Sequence, residues 1–305
     1  MINHINDNNF FETLLKRTDI LLENLQIDQK AVPVINSLPN ITYHREKNHE
    51  LKMSLLLPKI KQTKPAVLFL PGGGFRIADQ NAFLQLRLAL AQAGLVVASI
   101  EYRVIPAAFP ASLYDGKYAL SYLVKHATAL GIDSSKIAVM GASAGGYLAQ
   151  FLGVTSETSH FLPVGIPITY TKVWKVVSLF GFCELSSLTE DLKNQNKQNS
   201  AEPTLGLALH GLKFLNDPAV FKTDRVELKN ASPINYVSSK NPPFLLLHGT
   251  ADHQISLQQL TKMAAALKQQ QVPVTAIKVA KAGHGSWQWY QPKISQEIIN
   301  WLKQS

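Results

Sequence analysis

The stretch Lys136-Ile137-Ala138-Val139-Met140-Gly141-Ala142-Ser143-Ala144-Gly145-Gly146-Tyr147-Leu148 decides the fold. Its first five residues form an apolar run rich in branched side chains, as in a short buried strand. From Gly146 through Leu152 the pattern is that of a helix start. Between them, Gly141-x-Ser143-x-Gly145 puts a serine on a strand-to-helix turn. Such a turn strains the serine backbone and exposes its hydroxyl at a helix N-terminus. There, N–H groups and the helix dipole favour developing negative charge. Glycine on either side lets neighbouring backbone approach without a Cβ clash. Taken alone, the pattern also describes an ordinary glycine-rich turn, so its weight depends on what else the chain supplies.

A nucleophilic serine needs a base, an acid that orients the base, and N–H donors for the oxyanion. In the doubly wound layout the chain order is serine, acid, histidine. Phe244-Leu245-Leu246-Leu247-His248 reads as a strand and runs into Gly249-Thr250-Ala251-Asp252. Val274 to Val279 reads as another and is followed by Ala282-Gly283-His284-Gly285. Asp252 and His284 thus each lie just past a strand end, at the edge where open parallel sheets bind ligands. On the donor side, the strand Ala66 to Leu70 enters Pro71-Gly72-Gly73-Gly74-Phe75. The expected oxyanion donors are the N–H groups of Gly73, Gly74 and Ala144. Glu184 also follows a strand, near Phe182, and is the weaker candidate for the acid. His248 and His253 flank Asp252 but do not follow the last strand, and are read as structural. Phe75 and Trp287 are the expected substrate-binding residues. Trp289 and Tyr290 are further candidates to line the pocket, with packing of the C-terminal helix as the alternative for these two and for Trp287.

These motifs, with Glu101-Tyr102-Arg103 and Phe109-Pro110-Ala111 followed by Asp115, resemble the α/β-hydrolases over roughly residues 40 to 303. The resemblance is to the hormone-sensitive-lipase-like and bacterial acetyl- and feruloyl-esterase-like carboxylesterases. It implies a serine carboxylesterase acting on small-molecule esters through the triad Ser143, Asp252 and His284, with no metal or organic cofactor. Where the family usually has His-Gly-Gly-Gly, this chain has Pro71-Gly72-Gly73-Gly74, which keeps the donor glycines. An amidase or peptidase using the same triad, and a non-catalytic binding protein on the same scaffold, are the alternatives.

Composition agrees. The chain has 305 residues, 46% of them hydrophobic, enough for a large core. No apolar run nears the ~18 residues a membrane span needs. The polar, Asn-rich start lacks the apolar core of a signal peptide. The single cysteine, Cys183, suits a reducing compartment and is read as a packing residue, so a cytoplasmic setting is expected. The net charge of +9 is scattered and no nucleic-acid motif accompanies it, so it reads as surface solvation. Homodimer formation is left open.

Strands and helices alternate, which predicts an α/β class. The sheet is doubly wound and mostly parallel, with helices on both faces. Phe11, Leu14, Leu15, Leu22 and Leu25 predict an N-terminal helix, and residues 1–38 are read as a helical extension of the domain 39–305. Helices are expected over Asp79 to Ala93, Ala111 to Leu130 and Ser256 to Gln271. Strands are expected over Leu51 to Leu57, Leu95 to Ile100 and Trp174 to Phe180. At about 186–232 the alternation breaks into a polar stretch, Glu190 to Glu202, and an apolar one, Leu205 to Leu215. An insertion after a strand end is expected to hang over the catalytic edge as a lid, where such folds vary substrate choice, with a solvent-facing insertion that does not touch the site as the alternative.

Overall fold

Eight strands form one sheet in the order β1-β2-β4-β3-β5-β6-β7-β8. They are β1 (Ile35–Glu46), β2 (His49–Pro58), β3 (Lys64–Leu70), β4 (Val96–Ile100), β5 (Ile132–Ala142), β6 (Val176–Leu179), β7 (Phe244–Gly249) and β8 (Val274–Val279). The structure is a computed structural model and describes residues 33–46, 49–193, 202–218 and 225–304. From β4 onward neighbours are parallel; β2 is antiparallel to both β1 and β4. β4, β6 and β7 are buried along their whole length, as near-continuous apolar strands covered on both faces must be. Alternate side chains enter opposite cores. Ala66, Leu68 and Leu70 of β3 join one apolar cluster, while Val67 and Phe69 join the other.

Helices α1 (Leu84–Gln92), α2 (Ala111–Lys125), α3 (Ala127–Leu130) and α4 (Ala144–Val154) cover the middle of the sheet. The first starts later than the periodicity predicts. The Asp79 carboxylate accepts the Asn81 N–H at 2.8 Å, and Phe83 takes a left-handed φ of 55°, so the chain turns before it coils. The expected single helix from Ala111 is broken at His126, and its second piece ends at Gly131 with φ 64°. The strand expected over Trp174 to Phe180 is shorter, and β1 was not anticipated. β1 brings Ile35 to Leu38 into the sheet, although the sequence reading assigned them to the N-terminal extension. The N-terminal helix expected over residues 11–25 lies outside the described residues.

The insertion after β6 is largely helical where described. It contains α5 (Leu188–Lys193), α6 (Glu202–His210), α7 (Leu212–Asn216) and α8 (Arg225–Asn230). The chain then returns through β7, α9 (Gln258–Gln269), β8 and α10 (Pro292–Lys303). No helix among the described residues is long and apolar enough to cross a membrane.

Candidate active site

Strand register brings the loops together. Leu70 lies beside Gly141, Ala142 beside Leu179, and Gly249 beside Val279. The turns that follow β3, β5, β7 and β8 therefore open at one edge of the sheet. At the turn between β5 and α4, Ser143 adopts φ 55° and ψ −120°. A non-glycine residue held there costs about 1–3 kcal/mol, which surrounding contacts must offset. The turn is also tight. A Cβ on Gly141 would lie 2.1 Å from the Gly145 carbonyl oxygen, and one on Gly145 would lie 2.0 Å from that of Leu70. Both glycines are thus required by close approach, as the motif predicts.

The geometry joins Ser143, His284 and Asp252 in one chain. His284 Nε2 is 2.8 Å from Ser143 Oγ, and Nδ1 is 2.8 Å from Asp252 Oδ2. With neutral imidazole, Nδ1–H donates to the carboxylate and Nε2 accepts from the hydroxyl. Asp252 is fully buried. Its other oxygen accepts the N–H groups of Gln254 at 2.8 Å and Ile255 at 2.9 Å. Burial alone would push this carboxyl up. Hydrogen bonds from His248 and His284, and the attraction of both rings, outweigh that and hold it well below the usual carboxylate range.

Supporting groups fix the ring and the acid. His248 Nε2 lies 3.0 Å from the Ile255 carbonyl and 3.4 Å from Asp252 Oδ2, bracing the loop that carries the acid. Phe180 meets the His284 ring edge-on with centroids 4.8 Å apart, and Trp289 packs on Phe180. Trp289 Nε1 donates to the Gly283 carbonyl at 2.8 Å, which holds the base of the histidine loop. Glu184, the weaker acid candidate, is engaged elsewhere. Its carboxylate accepts from Lys262 Nζ at 2.8 Å and from the Ser187 hydroxyl. Burial raises its pKa, but these bonds prevail and lower it.

Gly73 and Gly74 line the same cavity as Ser143 and His284. Gly74 has φ 58°, and the Gly73 carbonyl accepts the Arg76 N–H at 3.0 Å, which shapes the loop. Ala144 is the first residue of α4, where an N–H has no intrahelical acceptor. Among the described residues, none of the N–H groups of Gly73, Gly74 and Ala144 meets a protein acceptor. Pro71 costs the sheet nothing, because β3 ends at Leu70 and no ladder N–H is required after it. Its carbonyl accepts the Tyr102 hydroxyl at 2.7 Å.

The cavity has a volume of about 620 Å³. Its side-chain walls come from Arg76, Phe83, Phe180, Leu207, Ile255 and Tyr290. Neither expected substrate-binding residue is among its lining. Phe75 is turned into the core, where it packs edge-on against Tyr147. Trp287 stands 68% exposed on a short turn outside the cavity. Tyr290 does line the cavity, stacked on Phe83 with centroids 5.2 Å apart. Leu207 belongs to α6, so the insertion does contribute to the wall. Among the described residues, no group of three or more His, Cys, Asp or Glu is placed to hold a metal ion.

The BD-FAE family model matches residues 53–267, a span that contains the serine turn and the acid. The chain belongs to the BD-FAE family. Two relatives of this BD-FAE member come from Mycobacterium tuberculosis. One, named esterase LipC, is 32% identical over 237 residues, covering 73% of this chain and 54% of LipC. The other, named probable carboxylic ester hydrolase LipM, is 28% identical over 209 residues, covering 68% of this chain and 46% of LipM. The chain thus spans about half the length of these curated relatives. A solved structure described as a truncated form of a carbohydrate esterase from gut microbiota superimposes with a TM-score of 0.70 at 24% identity. The match covers 90% of this chain and 96% of that one. The fold is the α/β-hydrolase fold.

Proposed function

We propose that this BD-FAE protein is a serine carboxylesterase that hydrolyses small to medium carboxylic esters through an acyl-enzyme. The observation that carries the reading is the Ser143–His284–Asp252 chain at 2.8 Å per link, beside the Gly73, Gly74 and Ala144 N–H groups, which meet no acceptor among the described residues. In this reading, Ser143 Oγ attacks the ester carbonyl while His284 Nε2 takes its proton. Asp252 holds the Nδ1–H tautomer and stabilises the imidazolium, remaining ionised itself. The developing oxyanion is received by the N–H groups of Gly73, Gly74 and Ala144. His284 then protonates the departing alkoxide. A water, deprotonated by the same ring, attacks the acyl carbonyl and releases the acid and the free serine. The names of LipC and LipM support ester substrates over amides.

The test has two parts. A fluorophosphonate probe is expected to label Ser143 and to be blocked by Ser143→Ala. p-Nitrophenyl esters of increasing chain length are then compared with N-formylkynurenine and aminoacyl anilides, and the esters are expected to turn over fastest. No labelling would leave a binding protein on a hydrolase scaffold. Faster turnover of the amide substrates would make the protein an amidase or peptidase.

A further inference from the structure

We propose that Arg76 makes this site select esters that carry a second, anionic group such as a carboxylate, held by the guanidinium while the scissile carbonyl sits at Ser143. The proposal rests on the esterase reading. Arg76 follows the donor glycines and lines their cavity. Its N–H donates to the Gly73 carbonyl at 3.0 Å, so its backbone is tied to the loop that receives the oxyanion. Its side chain is exposed, and among the described residues no hydrogen bond, ion pair or ring contact holds the guanidinium.

The other arginines near this edge differ. Arg87 Nε donates to the Ala82 carbonyl at 2.8 Å, and Arg103 is gripped by the buried Asp115. Asp79, three residues beyond Arg76, accepts the Asn81 N–H and is not part of the cavity wall. Among the described residues, the wall contains no Asp or Glu at all. Of its remaining side chains, Ser143, Gln254 and His284 are polar, Tyr290 carries a hydroxyl, and Phe83, Phe180, Leu207 and Ile255 are apolar. A guanidinium without a partner among the described residues, in a cleft wall free of acidic side chains, presents a fork of donors that matches a carboxylate. The net charge of +9 draws anions toward the protein at longer range. Neutral esters can enter the same cleft, because Arg76 then keeps its water. The preference is therefore a matter of degree, read as a ratio of rates.

The experiment measures kcat/KM for two matched pairs in the full chain. The mono-p-nitrophenyl ester of glutaric acid is compared with p-nitrophenyl valerate, which tests an anion on the acyl side. 3-Carboxyphenyl acetate is compared with phenyl acetate, which tests one on the alcohol side. In at least one pair the anionic ester is expected to be favoured about tenfold, the scale of one charged hydrogen-bond pair. Arg76→Gln is expected to abolish that ratio and Arg76→Lys to keep part of it. Raising the ionic strength is expected to shrink it in the unmodified protein. Because the readout is a ratio within one protein, a general loss of activity in a variant does not imitate the result. Ratios that are equal in the unmodified protein and Arg76→Gln for both pairs overturn the proposal and leave the esterase reading standing. Failure of the folded protein to turn over any of these esters overturns the esterase reading, and this proposal with it.

Discussion

Ser143, His284 and Asp252 each stand one short turn beyond a strand, and that placement is why their side chains could be located in the sequence. The order of strand, glycine and polar residue fixes which edge of the sheet a residue reaches. It does not fix where a side chain points, and so Phe75 and Trp287 lie outside the cavity wall: Phe75 has φ 59° and turns inward onto Tyr147. Ser143→Ala is expected to keep the fold and lower ester turnover by at least roughly 10³-fold, since only binding and oxyanion effects remain. Near-normal turnover would remove the mechanism. Asp252→Asn is expected to cost about 10⁴-fold by favouring the wrong tautomer of His284. Glu184→Gln, acting on a carboxylate bound to Lys262, is expected to cost far less, and a reversal of the two effects would move the acid to Glu184. The same aspartate sets a pH signature. Its pKa is held below the ordinary value in the folded state, so its contribution to stability is present above the unfolded carboxyl's pKa. That contribution is lost as the pH falls through the folded value. Urea unfolding should thus show a stability gap between the unmodified protein and Asp252→Asn at neutral pH that narrows below about pH 4. A gap independent of pH would mean that Asp252 is not stabilised as an anion.

At the level of elements, the core strands were legible because they are apolar on both faces, whereas β1 was not. Its burial is mostly partial or absent, and an edge strand with that pattern lacks a clear alternation in the sequence. The insertion was legible as a break in alternation, but its polar first part conceals structure. Asp191, within α5, is buried and accepts from Gln259 Nε2 at 2.7 Å and Lys262 Nζ at 2.9 Å, tying the root of the insertion to α9. Polarity there reflects a buried ion-pair network as well as solvation. Further along, α6 delivers Leu207 to the cavity wall. Leu207→Ala is expected to enlarge the cleft and raise the rate with longer acyl chains relative to acetate by at least roughly threefold, given what a methylene in an apolar pocket contributes. An unchanged chain-length profile would mean that the insertion has no part in selectivity. The loop after β3 gives the opposite expectation. Pro71 lies outside the ladder, and the donor glycines come two and three residues later, so Pro71→His is expected to change kcat/KM by less than about tenfold. A gain of a hundredfold would show that the native loop misplaces its donors.

Across the whole molecule, the two ends of the parallel strands carry different work. The carboxyl ends hold the strained serine, the unpaired N–H groups and the cleft. At the opposite ends, where β6 begins, Lys175 is buried next to the C-terminus of α10. Its Nζ donates to the carbonyls of Trp301 at 3.2 Å, Leu302 at 3.4 Å and Gln304 at 2.6 Å. It also lies 4.5 Å from the Trp174 ring centroid and 5.1 Å from that of Trp301. One cation thus satisfies carbonyls that a helix end leaves without partners and meets the negative end of its dipole. In doing so it clamps the last helix to the middle of the sheet. No periodicity marks such a residue, because its role depends on two segments far apart in the chain. Lys175→Met keeps the apolar stem but removes the charge and the donors. Stranding those carbonyls is expected to cost about 2 kcal/mol. For a domain of this size that lowers Tm by roughly 4–8 °C. The ester kcat and KM at 25 °C should be unchanged, because among the described residues none of the partners of Lys175 lines the cleft. Thermal unfolding of the variant beside the unmodified protein decides the matter. An unshifted Tm would mean that solvent satisfies those carbonyls as well as Lys175 does, and a Tm loss accompanied by an equal fall in kcat would mean that the two ends of the sheet are mechanically coupled.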